Sequence, residues 1–133
     1  MKYLLDTNIC IYVIRKKPAG VIKRFRTIEI SHAGISSITL SELLYGVSKS
    51  SRPGQNLKAL AMFAAPLEIP AYDDEAAQHY GILRARLEKQ GTPIGSMDML
   101  IAAHALSMDC ILVTNNEKEF SRVPGLKIEN WAE

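Results

Sequence analysis

The stretch "MKYLLDTNIC" (residues 1–10) contains a short apolar run that stops at a carboxylate. Tyr3, Leu4 and Leu5 suit the inside of a β-sheet, whereas an ionised Asp6 is costly to bury unless it is paired. Two explanations are open from these residues alone. Asp6 caps the helix that follows, or it holds a bound cation.

The composition is typical of one globular domain, residues 1–133. The chain is 47% hydrophobic and 23% charged, which argues against disorder and against a coiled coil. Cys10 and Cys110 form neither a disulfide framework nor a metal-ligand spacing, so we expect reduced thiols in a cytoplasmic protein. Because the first apolar run is broken at Asp6 and no run approaches the ~20 residues of a membrane span, we expect no signal peptide and no membrane partner.

Positive charge is concentrated at the start of the chain. Residues 1–30 contain seven Lys and Arg residues but only two acids, although the net charge of the whole chain is +2. A basic segment of this kind fits a polyanion such as RNA, and a solvated helix face is an equally good explanation. The residues that we consider as contacts to RNA phosphates are Arg15, Lys16, Lys17, Lys23, Arg24 and Arg26.

Short apolar runs alternate with helical patterns along the chain. The predicted strands are residues 3–5, 33–38, 67–69, 110–114 and an extended piece over 126–130. The predicted helices are residues 8–17, 19–28, 39–47, 56–65, 73–91, 96–109 and 117–120, and residues 48–56 are predicted to form a surface loop. Runs rich in Ile, Leu and Val that are separated by helices indicate a mainly parallel sheet covered on both faces. The fold class is therefore α/β, a three-layer α/β/α sandwich.

Three acids fall at the carboxyl-end edge of that sheet. Asp6 ends the first strand, Glu42 is predicted in the first turn of the helix after the second strand, and Asp98 opens the helix that returns to residues 110–114. Each also has a structural explanation: Glu42 forms a capping-box pattern with Thr39, and the helix dipole favours Asp98. However, right-handed crossovers bring all three to the edge where open α/β sheets build their sites.

Carboxylates that are brought together repel and raise one another's pKa unless a cation neutralises them. A ligand set made of oxygen atoms suits Mg²⁺ or Mn²⁺ rather than zinc. Such an ion activates water and steadies an in-line phosphoryl displacement. We therefore expect Asp6, Glu42 and Asp98 to form a metal site.

Four blocks of the sequence, "LLDTNICIYVI", "ISSITLSELLYG", "GTPIGSMDMLIAAHAL" and "ILVTNNEKEFSRVPGLKIENW", resemble PIN-domain ribonucleases of the bacterial VapC toxin type. The resemblance runs nearly end to end. It implies a Mg²⁺- or Mn²⁺-dependent endoribonuclease toxin that is usually a homodimer and is held inactive by a VapB-type antitoxin. It also implies a structured RNA substrate, with tRNA first among the candidates. Asp6, Glu42 and Asp98 match three acids of the family's cluster.

The resemblance fails at one position, because Asn116 in "TNN" stands where the family commonly has Asp. Glu119, three residues on, is a candidate for the missing acid or an ordinary exposed helix residue, and the departure puts a second metal ion in doubt. In the expected mechanism Asp6 and Asp98 hold the ion, Glu42 positions or deprotonates the attacking water, and Glu119 assists. Polar residues that could support the carboxylates or bound water are Thr7, Asn8, Ser37, Thr114, Asn115 and Asn116. We assign no catalytic role to His32, His79 or His104.

Two other functions stay open. A phosphotransfer enzyme that uses Asp6 as its nucleophile is disfavoured, because "DTN" lacks the second acid of a D-x-D pair; trapping a phospho-aspartate would favour it. A catalytically weak PIN-like module that binds RNA or protein is kept open by "TNN". Tight binding without cleavage would favour that module.

Overall fold

The computed structural model describes residues 1–132, which form a four-stranded sheet, seven α-helices and a 3-10 turn over Ile30–His32. The strands are β1 (Tyr3–Leu5), β2 (Ala33–Gly34), β3 (Ile111–Val113) and β4 (Lys127–Glu129). The helices are α1 (Thr7–Arg15), α2 (Ala19–Thr27), α3 (Ser37–Lys49), α4 (Pro53–Ala64), α5 (Asp74–Gln90), α6 (Ser96–Ser107) and α7 (Glu117–Phe120).

The sheet has the order β2-β1-β3-β4 and all of its pairings are parallel. Side chains alternate between its faces, as the pleat of a strand requires. Leu5 and Val113 pack in one apolar cluster with α1 to α4, and Leu4 and Leu112 pack in the other with α5, α6 and α7. These four side chains are fully buried, and each burial contributes about 1.5–3 kcal/mol to folding. The predicted α/β fold with a parallel sheet between two helical layers is confirmed.

The prediction of a strand over residues 67–69 is wrong. The segment forms only an isolated parallel bridge between Gly34 and Glu68, supported by a hydrogen bond of 2.9 Å from the Ile35 N–H to the Glu68 carbonyl. A Cβ on Gly34 would lie 2.8 Å from that carbonyl oxygen, so glycine permits the close approach. Pro66 and Pro70 flank the run and cannot donate backbone hydrogen bonds, which keeps the pairing short.

The predicted strand over residues 33–38 is also too long, because β2 ends at Gly34 and α3 begins at Ser37. Ser36 caps α3, with its hydroxyl accepting a hydrogen bond of 3.0 Å from the Ile38 N–H. The capping box of Thr39 and Glu42 is therefore wrong, and Glu42 lies in the second turn of α3. The helix begins earlier than predicted, so that Ser36 rather than Thr39 satisfies a free N–H group at its start.

The predicted surface loop over residues 48–56 is shorter than expected. Helix α3 continues to Lys49 and α4 begins at Pro53, so that only residues 50–52 connect the two helices. Proline at the first position of a helix needs no N–H partner, and here it starts a helix rather than extending a loop. The other predicted elements are present, with ends that differ from the prediction by at most two residues. In α5, Asp73 caps the helix and Gly91 ends it at φ 69°.

Cys10 and Cys110 are buried and unpaired, as expected. Burial raises the pKa of both thiols, that of Cys110 to about 11, so that both stay protonated at neutral pH. Within residues 1–132, no helix has the combination of length and apolar character that crossing a bilayer requires.

Candidate active site

Four acids from four different elements meet at the carboxyl-end edge of the sheet. Asp6 lies between β1 and α1, Glu42 is on α3, Asp98 is in the first turn of α6 and Glu119 is on α7. The pKa of Asp98 is raised from 3.8 to about 7, first by burial, then by contact with the Glu119 carboxyl and by the charges of Asp6 and Glu42. Each acid therefore acts on Asp98, and the structure brings together the acids that the sequence singled out.

Asp6 is 6% exposed, although it carries an ionisable group. Its Oδ1 accepts a hydrogen bond of 3.0 Å from the Ile9 N–H, so that the helix-capping explanation is correct. Burial raises the pKa of Asp6 by more than the hydrogen bonds to Thr114 and Ile9 lower it, and the charge of Glu42 raises it further. Capping alone does not stabilise the charge of Asp6, which leaves room for a cation as well.

Glu42 is tied to the start of α1. The Thr7 hydroxyl donates a hydrogen bond of 2.6 Å to Glu42 Oε1, and this bond is partly buried. Thr7 is the residue next to Asp6, so the bond fixes the second turn of α3 beside the end of β1. Thr7 thus supports a carboxylate, as expected, and Glu42 reaches the cluster from one turn further along its helix than predicted.

Asn116 holds Glu119 in place. Its side-chain Nδ2 donates a hydrogen bond of 3.0 Å to Glu119 Oε2, and its backbone N–H donates one of 3.0 Å to the Thr114 hydroxyl. The Thr114 side chain also lowers the pKa of Asp6. Hydrogen bonds therefore link Thr114, Asn116 and Glu119 next to Asp6, and Glu119 raises the pKa of Asp98. Where the family commonly has an acid, this chain has an amide that positions the acid three residues on.

The other polar residues expected to support the site have different contacts. Ser37 Oγ accepts a hydrogen bond of 2.9 Å from the Tyr72 N–H, and Asn115 Nδ2 donates one of 2.7 Å to the Tyr12 hydroxyl. Asn8 is exposed on α1. Ser37 and Asn115 thus form hydrogen bonds that stabilise the segments near Glu42 and Glu119, and these bonds do not involve the carboxylates.

One buried pair behind the site was missed by sequence reasoning. His104 on α6 is 1% exposed, and its Nδ1 lies 2.7 Å from Oγ of Ser36, the residue that caps α3. Burial lowers the pKa of His104, which keeps its ring neutral. The pair joins the helix that carries Asp98 to the helix that carries Glu42. The position of Ser36 shortly before a helical run is the signal in the sequence that could identify it as the cap.

The donor set suits a hard divalent cation. Four carboxylates with hydroxyl and amide neighbours present only oxygen ligands, as Mg²⁺ and Mn²⁺ prefer. In residues 1–132 no three His, Cys, Asp or Glu side chains already stand in the arrangement of a formed ion site. Burial is the main cause of the raised pKa values of Asp6 and Asp98, and the charges of neighbouring carboxylates add to it. A bound cation would favour the ionised form of both acids.

The basic residues near the start of the chain separate into groups. Arg15 lines a groove of about 620 Å³ between α1, α3 and α4, which Thr7 and Glu42 also line. Arg24 pairs with Glu129 at 3.4 Å and lies over the Trp131 ring. Lys17 is exposed. The remaining three, Lys16, Lys23 and Arg26, line a second groove.

Comparisons with known proteins agree with this architecture. The model of the PIN domain family matches residues 3–126. The tRNA(fMet)-specific endonuclease VapC of Salmonella typhimurium is 47% identical over 131 residues, which cover 98% of each chain. Ribonuclease VapC2 of Rickettsia felis is 46% identical over 132 residues, again 98% of each chain.

Solved structures show the same relationship. The crystal structure of DNA-bound VapBC from Salmonella typhimurium matches with a TM-score of 0.93 and 47% identity, over 98% of both chains. VapBC2 from Rickettsia felis, bound to a DNA fragment from its promoter, matches with a TM-score of 0.92 and 45% identity, over 98% of this chain and 99% of that one. The chain therefore belongs to the PIN-domain family, among the VapC ribonucleases.

Proposed function

We propose that this chain is the endoribonuclease toxin of a type II toxin–antitoxin system and that it cuts structured RNA in the cytoplasm. The observation that carries the proposal is the meeting of four acids from four elements, two of which have raised pKa values. The Salmonella typhimurium and Shigella flexneri relatives, each 47% identical, are named tRNA(fMet)-specific endonucleases. We therefore propose tRNA, and tRNA(fMet) first, as the substrate.

Each acid has a proposed role. Asp6 and Asp98 would hold Mg²⁺ or Mn²⁺, and the bound ion would make water a better nucleophile and neutralise charge on the phosphate. Glu42 orients the attacking water and accepts its proton, and the Thr7 hydroxyl fixes the direction of that carboxylate. Glu119, held by Asn116, supports Asp98. In this proposal Glu119 takes the place of the acid that Asn116 replaces.

We propose a VapB-type antitoxin as the protein partner, because the related crystal structures are of VapBC complexes. The groove between α1, α3 and α4 fits such a partner. Its walls include the apolar side chains of Ile11, Ile14 and Leu43, and it also contains Glu42. An apolar segment that carries a basic residue would fill the groove and neutralise Glu42, which blocks the site.

A homodimer is the proposed assembly. Tyr45 on α3 and Met62 on α4 are 65% and 71% exposed, so both large side chains are accessible to a second copy. Contact between two copies through these helices would cover them. Sedimentation of the purified chain tests this: a monomer at micromolar concentration contradicts it.

The function is tested by incubating the purified chain, freed of antitoxin, with total bacterial RNA and with tRNA(fMet). Reactions contain Mg²⁺, Mn²⁺ or EDTA. We expect discrete cuts that depend on the metal and that fall by on the order of a thousandfold in Asp6→Asn and Asp98→Asn, about 4 kcal/mol of transition-state stabilisation. The control is Glu75→Gln, an exposed acid on α5, which should cut normally.

Two results would contradict the proposal. Full cutting by Asp6→Asn would remove that residue from the mechanism. Tight RNA binding without cutting under any metal, by a folded chain, would identify the catalytically weak binding module instead.

A further inference from the structure

A second concave surface lies at the opposite end of α1 from the acids. Lys16, the residue that ends α1, and Lys23 and Arg26 of α2 line a groove of about 510 Å³. Ala19, Ile22 and Thr27 complete its walls. No acid lines this groove, so that three positive charges share one concave surface with no negative charge among them. We call it the basic groove.

The three cations of the basic groove are free to bind a ligand. All three are exposed, and none of them makes an ion pair within residues 1–132. Arg24 on the same helix shows the contrast, because its guanidinium is engaged by Glu129 and lies over the Trp131 ring. Unpaired like charges gathered in a concave surface raise the local concentration of anions.

The geometry of the groove suits an extended anion better than a single small one. Lys23 and Arg26 are three residues apart and therefore neighbours on one face of α2. Lys16 faces them from another segment, because it ends α1 in the left-handed conformation at φ 60°, held by hydrogen bonds from its N–H to the carbonyls of Tyr12 and Val13. The charges thus line two sides of an open channel.

The basic groove is separate from the acids. Lys16 follows Asp6 by ten residues, which is about 15 Å along a helix. That separation exceeds the screening length of roughly 8 Å at physiological salt, so the groove has little effect on the charges of the acids. A substrate that reaches both places must be longer than the few nucleotides around the cut.

We propose that the basic groove binds the phosphodiester backbone of the substrate RNA at a distance from the bond that is cut. The inference rests on the proposed function and adds to it that the enzyme selects a folded RNA, not a short oligonucleotide. Lysine and arginine contacts to phosphates position a nucleic acid without reading its sequence. The lining holds no aromatic side chain on which a base could stack, which favours contact with the backbone over contact with bases.

The test uses Asp6→Asn as a binding-competent background that does not cut. In that background Lys16→Gln, Lys23→Gln and Arg26→Gln are combined. A matched control combines Lys58→Gln, Arg86→Gln and Lys89→Gln, which remove the same charge from exposed positions on α4 and α5. Affinity is measured by fluorescence anisotropy between about 50 and 200 mM salt. The probes are full-length tRNA(fMet) and a stem-loop that carries only the cut site.

We expect the groove variant to lose at least tenfold in affinity for the full-length tRNA and to keep its affinity for the stem-loop. The slope of log affinity against log salt should fall by about 2 to 3, since each lost phosphate contact removes about 0.7 to 0.9. In the active chain, the same three changes should raise KM for full-length tRNA and leave kcat unchanged. The control variant should keep most of the affinity and the slope.

Other outcomes would overturn the inference. Equal losses in the groove and control variants would show that only overall charge matters. Equal losses on both RNAs would place the groove at the cut site. Loss of antitoxin binding with unchanged tRNA binding would assign the groove to a protein partner. If the unaltered chain cuts tRNA in any of these cases, the proposed function stands and only the inference about the groove fails. If the unaltered chain neither binds nor cuts RNA, the proposed function and the inference both fail.

Discussion

The two ends of α1 carry opposite charge and are built in opposite ways. At its start Asp6 is 6% exposed and accepts a hydrogen bond from the Ile9 N–H, and its charge interacts with those of Glu42 and Asp98. At its end Lys16 is exposed and lines a groove of unpaired cations. Catalysis requires charged groups that are held in a fixed geometry and partly shielded from water. Attraction of a long anion requires only positive charge at an accessible surface.

The two ends also differ in their effect on stability. Burial raises the pKa of Asp6 and Asp98, which means that folding opposes their ionisation. The exposed cations keep their water and lose little on folding. In the acidic cluster, the charges that function requires therefore reduce the stability of the fold. In the basic groove they do not.

The largest effect that would sharpen this comparison is on catalysis. We expect Glu119→Gln to lower the rate of tRNA cleavage by on the order of a hundredfold, about 3 kcal/mol, because it removes the acid that contacts Asp98. Glu117→Gln is the matched control, since Glu117 is exposed on the same short helix. If the two variants cut at the same rate, Glu119 does not belong to the site.

The next effect is on the pH dependence of stability. The folded chain holds a proton on Asp98 up to about pH 7, whereas the unfolded chain loses it near the ordinary value of 3.8. The stabilisation from this group is therefore complete at low pH and is lost as the pH rises through 7. We expect the Tm without metal to be several degrees higher near pH 5.5 than near pH 8, and Mg²⁺ to recover part of the loss.

Asp98→Asn serves as the control for that measurement. It carries no charge at either pH, so its Tm should depend less on pH than the Tm of the unaltered chain. The difference between the two proteins gives the contribution of Asp98, including its interactions with the acids around it. Identical pH profiles would show that Asp98 does not oppose folding.

A smaller effect is expected behind the site. Ser36→Ala removes the cap of α3 and leaves His104 without its 2.7 Å partner. We expect a loss of about 1–2 kcal/mol in the free energy of unfolding, measured in urea. Ser41→Ala on the same helix is the control, because Ser41 is exposed and bonds only a carbonyl of its own helix. Equal stabilities would show that the pair contributes nothing.

The smallest effect is expected at the other end of α1. Lys23→Gln combined with Arg26→Gln should change the free energy of unfolding by less than about 0.5 kcal/mol, because both are exposed surface residues. Chemical denaturation measures this directly. A clear destabilisation would mean that these charges hold the fold together and would remove the contrast between the two ends.

Much of the fold could be predicted because it depends on local patterns. Short runs of consecutive apolar residues indicated β1 and β3, and acids at the start with glycine at the end indicated α5. Asp6 and Asp98 could be placed for the same reason, since each lies at an element boundary. The errors arose where two local rules competed, as when Ser36 rather than Thr39 capped α3.

The contacts that organise the site could not be predicted from the sequence. Thr7 and Glu42 are 35 residues apart, and Ser36 and His104 are 68 residues apart. Such bonds exist only after the layers dock, and no periodicity records them. The same holds for the basic groove, because six basic residues are equivalent candidates in the sequence and only the packing of α1 against α2 shows which three share a surface.

Asp6 closes a strand, caps a helix and faces the other acids, and these tasks differ in which replacement they tolerate. Asparagine caps a helix as well as aspartate does, so a single change at this position would preserve the protein while removing one negative charge from its site. Where the enzyme is no longer needed, a single substitution at residue 6 could therefore inactivate it without producing a misfolded chain. Homologues inactivated in this way are expected to stay folded, and residue 6 is the first position to compare between active and inactive homologues.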